Sequence, residues 1–293
     1  MTHEASSEQL PWCCIGILYH PRKPESRQLG EQMVDLVLEH DLEAWLASAW
    51  DEPSVSGHMI DLDMVITLGG DGTILRAARM AASFDVPILG VKMGRLGFLA
   101  EVQPENWAEP LRKVLAGEYW LERRMMLEVQ VLRRGLPLNV RGPELAVQAL
   151  NDVVVSRGNL ARLVRISTSI DGDYLTTYAA DGVIVATPTG STGYALAAGG
   201  PILPPELRNI VLVPIAPHLS LDQAVVLSEG VSVTLQVFAD HPAMLTVDGQ
   251  FEVELQDGDQ VRVTAGADSA HFVRVRPRSY FYRTLMERLK SNL

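Results

Sequence analysis

The sequence has 293 residues, 47% of them apolar and 21% charged, with a net charge of −11. That length can bury a large core and predicts two domains, while the acidic balance argues against general nucleic-acid binding, which needs a basic surface. No uninterrupted apolar run is long enough to span a bilayer. Residues 1–11 lack the basic-then-apolar pattern of a secretion signal and read as a polar, loose leader. Cys13 and Cys14 are adjacent at the start of an apolar run, which suits neither a disulfide framework nor a metal spacing. They predict core packing and a reducing cytoplasm. An acidic protein that handles phosphates needs local compensation from backbone N–H groups, a few Arg or Lys side chains, or a metal.

Residues 14–19 predict a strand and 20–24 a loop; Leu29, Met33, Leu36 and Val37 then recur at helical spacing. A second short strand is expected over 43–47, and a loop over 51–58, where Pro53 and Gly57 stand. The chain is organised around Met64-Val65-Ile66-Thr67-Leu68-Gly69-Gly70-Asp71-Gly72-Thr73-Ile74-Leu75. This is a buried strand, a turn of glycines around one carboxylate, and a helix running to about Ala82. Gly69, Gly70 and Gly72 offer unusual backbone angles and room for a ligand. N–H groups at the helix start favour phosphate, with Thr73 expected as the cap. Asp71 would repel such a ligand unless it accepts a proton or holds Mg²⁺. An ordinary Asp-Gly surface turn gives the same pattern without function. A strand at 87–91 leads into Lys92-Met93-Gly94-Arg95-Leu96-Gly97-Phe98-Leu99-Ala100, followed by a helix over 104–116 that Gly117 stops. Such alternation implies a parallel sheet with ligands at the carboxyl ends of its strands, where both glycine turns fall.

From about Tyr119 the pattern becomes strands: 127–133, 150–156, 163–170, 173–178, 182–186, 210–214, 231–238, 243–247, 251–255 and 260–265. Asp171-Gly172, Asp248-Gly249 and Asp257-Gly258 read as hairpin turns. The expected organisation is an α/β domain over 12–118, completed by a C-terminal helix within 277–293 that packs back on it, and a β-sandwich-like domain over 119–276. A helical interruption is expected at 191–198. Three polar clusters stand out. Asn151-Asp152 opens an apolar strand, which by itself reads as a strand start outside the core. Tyr178-Ala179-Ala180-Asp181-Gly182, continued by a strand into Thr187-Pro188-Thr189-Gly190-Ser191-Thr192-Gly193-Tyr194, repeats the logic of the first loop, with Ser and Thr donors beside a helix start. Asp248-Gly249-Gln250 by spacing alone is a hairpin.

In their order and content these stretches resemble the NAD kinase family, from about Ile15 to Tyr282. The first motif is shared with diacylglycerol and sphingosine kinases. Thr187-Pro188-Thr189-Gly190-Ser191-Thr192 is much more specific, and Ile74-Leu75 stand where lipid kinases usually have Asn-Glu. The family usually has Asn at the position of Lys92 and often Ala at that of Gly193, so the sequence departs from the pattern at those two positions.

The resemblance implies an α/β N-terminal domain with a parallel sheet plus an all-β sandwich-like C-terminal domain, an NAD kinase/diacylglycerol kinase-like fold. It implies Mg²⁺-dependent transfer of the γ-phosphoryl of ATP to the adenosine ribose 2′-hydroxyl of NAD⁺, with Asp71 as proton acceptor. Gly69, Gly70, Gly72 and Thr73 would contact ATP phosphates. NAD contacts would come from Gly72, Arg76, Asn151, Asp152, Arg162, Asp181, Thr192, Gly193, Tyr194, Ala195, Leu196, Ala197 and Gln250; for Arg76 an exposed helix arginine is the equal alternative. A cytoplasmic homodimer or homotetramer without nucleic-acid or membrane partners is the further expectation. No Gly-x-Gly-x-x-Gly follows the first strand, where His20-Pro21-Arg22-Lys23-Pro24 stand, which disfavours a Rossmann oxidoreductase. A related kinase of lipids or small alcohols, and a non-catalytic dinucleotide sensor, remain open at this point.

Overall fold

The structure, a computed structural model, describes residues 12–94, 97–134, 145–158, 163–218 and 221–291. The leader at 1–11, Arg95 and Leu96 of the second glycine turn, and Arg162 lie outside the described residues. The chain divides into two compact units, Met1–Glu122 with His271–Leu293, and Arg123–Ala270.

The first unit runs β1 (Cys14–Tyr19), α1 (Pro24–Leu38), β2 (Glu43–Ser48), α2 (Glu52–His58), β3 (Met64–Gly69), α3 (Asp71–Ala82), β4 (Ile88–Lys92) and α4 (Ala108–Leu115). Its strands pair in parallel in the order β2-β1-β3-β4. β3 is buried along its whole length, as a central parallel strand covered on both faces must be, and so its sequence runs apolar rather than alternating. Leu29, Met33, Leu36 and Val37 of α1 share a core with Ile15, Ile17 and Ile66, as their helical spacing predicts.

Three expectations are corrected here. Residues 51–58 form helix α2 instead of a loop, because Pro53 sits in the first turn, where its missing N–H costs nothing, and Val55 is fully buried. The segment 104–116 is a short 3₁₀ turn at Pro104–Asn106 and then α4, closed by Gly117 at φ +83°. Cys13 is exposed and Cys14 half-buried, since both stand where β1 begins and donate their backbone N–H groups to Asp63 Oδ2.

The second unit continues through β5 (Trp120–Leu132), β6 (Leu145–Ala149), β7 (Asp152–Arg157), β8 (Val164–Ile170), β9 (Asp173–Ala180), β10 (Gly182–Ala186), α5 (Tyr194–Ala197), β11 (Asn209–Ile215), β12 (Val225–Ser228), β13 (Val233–Phe238), β14 (Ala243–Val247), β15 (Phe251–Leu255) and β16 (Gln260–Arg274). One antiparallel set joins β13 to β16 and to β8, and β8 to β9, while β5 pairs with β6 and β16. The other sheet is antiparallel in the order β12-β11-β10-β7-β14-β15. Leu127, Ile166 and Leu235 from the first and Val155, Val183, Leu212 and Leu245 from the second bury one shared core, which makes the unit a sandwich. Asp171-Gly172 and Asp248-Gly249 are tight hairpins with left-handed residues at both positions. Asp257-Gly258 is not a hairpin. It carries the chain from β15 in one sheet to β16 in the other, with Gly258 N–H donating to Val237 O at 2.8 Å.

β16 ends within the first unit, where Phe272 lies parallel to Ile88 of β4, and α6 (Tyr280–Ser291) follows. Arg274 is fully buried there. Its Nε and Nη2 donate to Glu122 Oε2 at 2.9 and 2.7 Å, and its Nη1 to Leu99 O at 2.9 Å and Glu101 Oε2 at 3.2 Å. Glu101 also accepts the N–H groups of Val275 and Arg276, and Tyr280 Oη donates to Glu122 at 2.7 Å. Desolvation disfavours the guanidinium, yet Glu122, Tyr280 and Glu101 outweigh it and hold the group above its usual pKa. Replacing only the arginine strands two buried carboxylates. Arg274→Met is expected to lose about 3–5 kcal/mol of unfolding free energy in urea titration, and a loss under about 1 kcal/mol would show that the cluster is not holding the unit together.

Candidate functional site

In the first unit the organising turn sits at the carboxyl edge of the parallel sheet. Gly70 is the N-cap of α3 and Asp71 its first residue, where the positive end of the helix dipole favours a carboxylate. Thr73 N–H donates to Gly70 O at 3.0 Å, and the positive end of the helix dipole lets this end also receive an anion. Thr73 does not cap the helix; it lies within the first turn, its hydroxyl buried against Gly69. Gly69 is required by that closeness, since a Cβ there would stand 2.1 Å from Thr73 Oγ1. Neither Gly69 nor Gly70 has a left-handed φ, so their expected use of unusual backbone angles is not what the turn needs. At Gly70 a Cβ would meet nothing within 4 Å, which is the room a ligand could use.

Parallel pairing of β3 with β4 places Lys92 opposite Gly69. Its Nζ reaches Asp71 Oδ1 at 2.6 Å. Arg76, one turn further along α3, pairs with Glu52 and lies over the Trp50 ring at 4.9 Å. Trp50 in turn packs on His20, with centroids 4.4 Å apart. A cavity of about 550 Å³ opens beside the second glycine turn, lined by Glu25, Gln28, Gln32, Met93, Gly94 and Glu105 among others.

In the second unit the polar clusters converge. Asp248 accepts the N–H groups of Leu150, Asn151 and Asp152 at 3.0, 2.7 and 3.1 Å, so the hairpin acid fixes the start of β7. Gly190 crosses so near Asn151 that a Cβ would lie 2.0 Å from its carbonyl oxygen. The expected Ser and Thr donors are turned inward. Thr187 Oγ1 donates to Leu150 O, Ser191 Oγ to Pro188 O and Thr192 Oγ1 to Thr189 O. These hydroxyls hold the turn in shape and leave its backbone and exposed face for a ligand. Beyond the turn, Tyr194, Leu196 and Ala197 are exposed, whereas Ala195 is buried in a small cluster with Val154, Ile184 and Val211. Asp181 is bound through both oxygens to Arg157, at 3.0 and 3.3 Å. Tyr178, from the same stretch, is a core residue with its hydroxyl buried. A Cβ on Gly193 would stand 3.3 Å from Gly190 O and 3.9 Å from Asp152 Oδ2, so its position faces the Asp152 carboxylate. Burial, and then the neighbouring Asp248 carboxylate, push the Asp152 carboxyl from 3.8 up to about 7.

Residues 55–119 match the ATP-NAD kinase N-terminal domain and residues 150–275 the ATP-NAD kinase C-terminal domain. The chain is 40% identical over 278 residues to an NAD kinase of Dehalococcoides mccartyi strain CBDB1, covering 95% of this chain and 96% of that one. The chain belongs to the ATP-NAD kinase family. An NAD kinase of Chloroflexus aurantiacus is 40% identical over 276 residues, covering 94% of this chain and 98% of its own. Yeast NADH kinase, solved in complex with NADH, superposes with a TM-score of 0.81 at 25% identity, over 96% of this chain and 89% of that one. The NAD kinase of Archaeoglobus fulgidus, solved with ATP, gives 0.75 at 27% identity, over 95% and 99%.

Against the family pattern, Lys92 and Arg157 are the informative side chains that sequence reading did not assign. Lys92 was visible as a departure, but its partner depends on the register of β3 and β4. For Arg157 no motif marks the pairing. The Asp152 carboxyl carries a testable cost. Its pKa is raised on folding, so the penalty is absent below about 3.8, grows as pH rises and is complete above about 7. Asp152→Asn removes it. The variant is expected to be more stable than the parent, with a gain larger at pH 8 than at pH 5 by about 2 kcal/mol. Urea titrations at the two pH values check this, and an equal difference at both would overturn the assignment.

Proposed function

We propose that the protein transfers the γ-phosphoryl of ATP to the adenosine ribose 2′-hydroxyl of NAD⁺, giving NADP⁺ and ADP. The observation that carries the reading is Asp71 at the first residue of α3, beside open backbone at Gly70, in a chain of the ATP-NAD kinase family. Phosphoryl transfer asks a protein chiefly for positioning and charge neutralisation. Asp71 orients the 2′-hydroxyl and takes its proton as the 2′-oxygen bonds to the γ-phosphorus and the bond to the β–γ bridging oxygen breaks. The helix start formed by Gly70, Asp71 and Gly72 faces the donor phosphates, with Gly69 keeping the turn tight and Thr73 bracing it through its N–H to Gly70 O at 3.0 Å.

Asn151, Asp152, Asp181, Gln250 and the exposed edge formed by Thr192, Gly193, Tyr194, Leu196 and Ala197 bind the dinucleotide, with Ala195 supporting them from the core. Arg76 is assigned to the dinucleotide as well, after exchanging Glu52 for a phosphate; Arg162 belongs to the same set by its place in the family pattern. Among the described residues no group of three or more His, Cys, Asp or Glu side chains could cage a metal ion. Mg²⁺ would arrive on the ATP phosphates and offset their charge there. No helix among the described residues is long and apolar enough to cross a membrane.

The expected result with wild type, NAD⁺ and Mg·ATP is NADP⁺, recognised by a 2′-phosphomonoester signal in ³¹P spectra. Diacylglycerol in place of NAD⁺ should receive no phosphate. Binding of NAD⁺ without turnover would instead favour the sensor. The reading also includes a homodimer or homotetramer, so sedimentation should give a mass well above 32.2 kDa; a single species at the chain mass would remove that part.

A further inference from the structure

We propose that Lys92 is a positioning residue for the phosphoryl transfer, pinning one oxygen of Asp71 and countering its charge while the other groups assemble. The inference rests on Asp71 being the proton acceptor.

Lys92 is the last residue of β4, and its register opposite Gly69 sets it beside the glycine turn. Its side chain is only 14% exposed, whereas that of Asp71 is 41% exposed. The cation is thus held by the fold and the carboxylate stays accessible to a substrate. The ammonium stands 2.6 Å from Asp71 Oδ1, an oxygen that is itself buried. Since the Asp71 side chain as a whole is 41% exposed, its exposure falls on the rest of the carboxylate, which is left to meet a hydroxyl hydrogen. Lys23 is committed differently: its Nζ donates to Met93 O at 2.9 Å.

The arrangement answers a problem of sign. Asp71 stands at a helix start suited to phosphates, and an uncompensated carboxylate there repels a triphosphate. Like charges brought close together in a medium less polar than water repel strongly. An ammonium fixed by the same unit cancels that repulsion before any metal-bound nucleotide arrives. Lys92 neither gives nor takes a proton in the step: the hydroxyl proton passes to Asp71 and ADP leaves with the electron pair of the broken bond.

The test compares Lys92→Met and Lys92→Arg in the full chain, using NAD⁺ and Mg·ATP. Lys92→Met should lower kcat about 10-fold or more with KM for NAD⁺ changed less than about threefold, and Lys92→Arg should recover most of the rate. In an Asp71→Asn background, Lys92→Met should cost less than about twofold further, because its effect acts through Asp71. The inference is overturned if Lys92→Met keeps kcat within about threefold of wild type, if its loss persists in full in that background, or if Lys92→Arg folds with the parent melting midpoint yet recovers no rate. If Asp71→Asn alone keeps the wild-type rate, the proton-acceptor reading fails first and independently of Lys92.

Discussion

A guanidinium with no exposed surface holds the first unit to its own C-terminal segment. Arg274 lies at the end of the last strand, yet its partners come from residues 98–101 and from Glu122, more than 150 positions away in the chain. Burying such a charge is tolerable only when every donor is answered, and here two carboxylates and two backbone carbonyls answer it. The consequence reaches the site. Glu101 is held by Arg274, Val275 and Arg276, and its own N–H donates to Gly90 O of β4. β4 ends in Lys92, and Lys92 touches Asp71. The segment returning from the C-terminus therefore steadies the strand that places the cation beside the acid.

An acidic chain that binds polyanions has to concentrate its positive potential. The first unit does so with a helix start and one buried-stem lysine. The second unit relies on backbone geometry, with hydroxyls turned inward to fix the turn and Arg157 engaged by Asp181. At Asp152 the direction reverses. Two carboxylates are brought together under low exposure, which costs stability at neutral pH. A fold seldom keeps such a pair for packing alone, since a neutral isostere would serve better, and sites that handle protons or polar ligands are where such costs accumulate.

Much of the fold was legible because the signals were local. The apolar run of β3 ending in glycines, the helical spacing of α1 and the left-handed Asp-Gly hairpins each follow from neighbouring residues. What sequence reading missed depended on distant partners. α2 carries Pro53 and Gly57, which look like loop residues until the burial of Val55 is known. β6 is largely small residues and β12 is short and half-exposed, so neither stands out from a loop. Asp257-Gly258 has hairpin chemistry but joins strands of different sheets. The motifs singled out Asp71, Asn151, Asp152, Asp181 and Gln250 as candidates, while Lys92–Asp71, Arg157–Asp181 and Arg274–Glu122 became readable only with strand register and tertiary contacts.

The most direct measurement is the single-turnover rate of NADP⁺ formation from bound NAD⁺ and Mg·ATP, on wild type and on Asp71→Asn, with NAD⁺ affinity determined for both. The expected result is a rate lower by about 10²-fold or more with affinity within about threefold of wild type, as removal of a positioned base requires. A variant that binds NAD⁺ normally and forms NADP⁺ at nearly the wild-type rate would contradict the assignment of Asp71 to the chemistry.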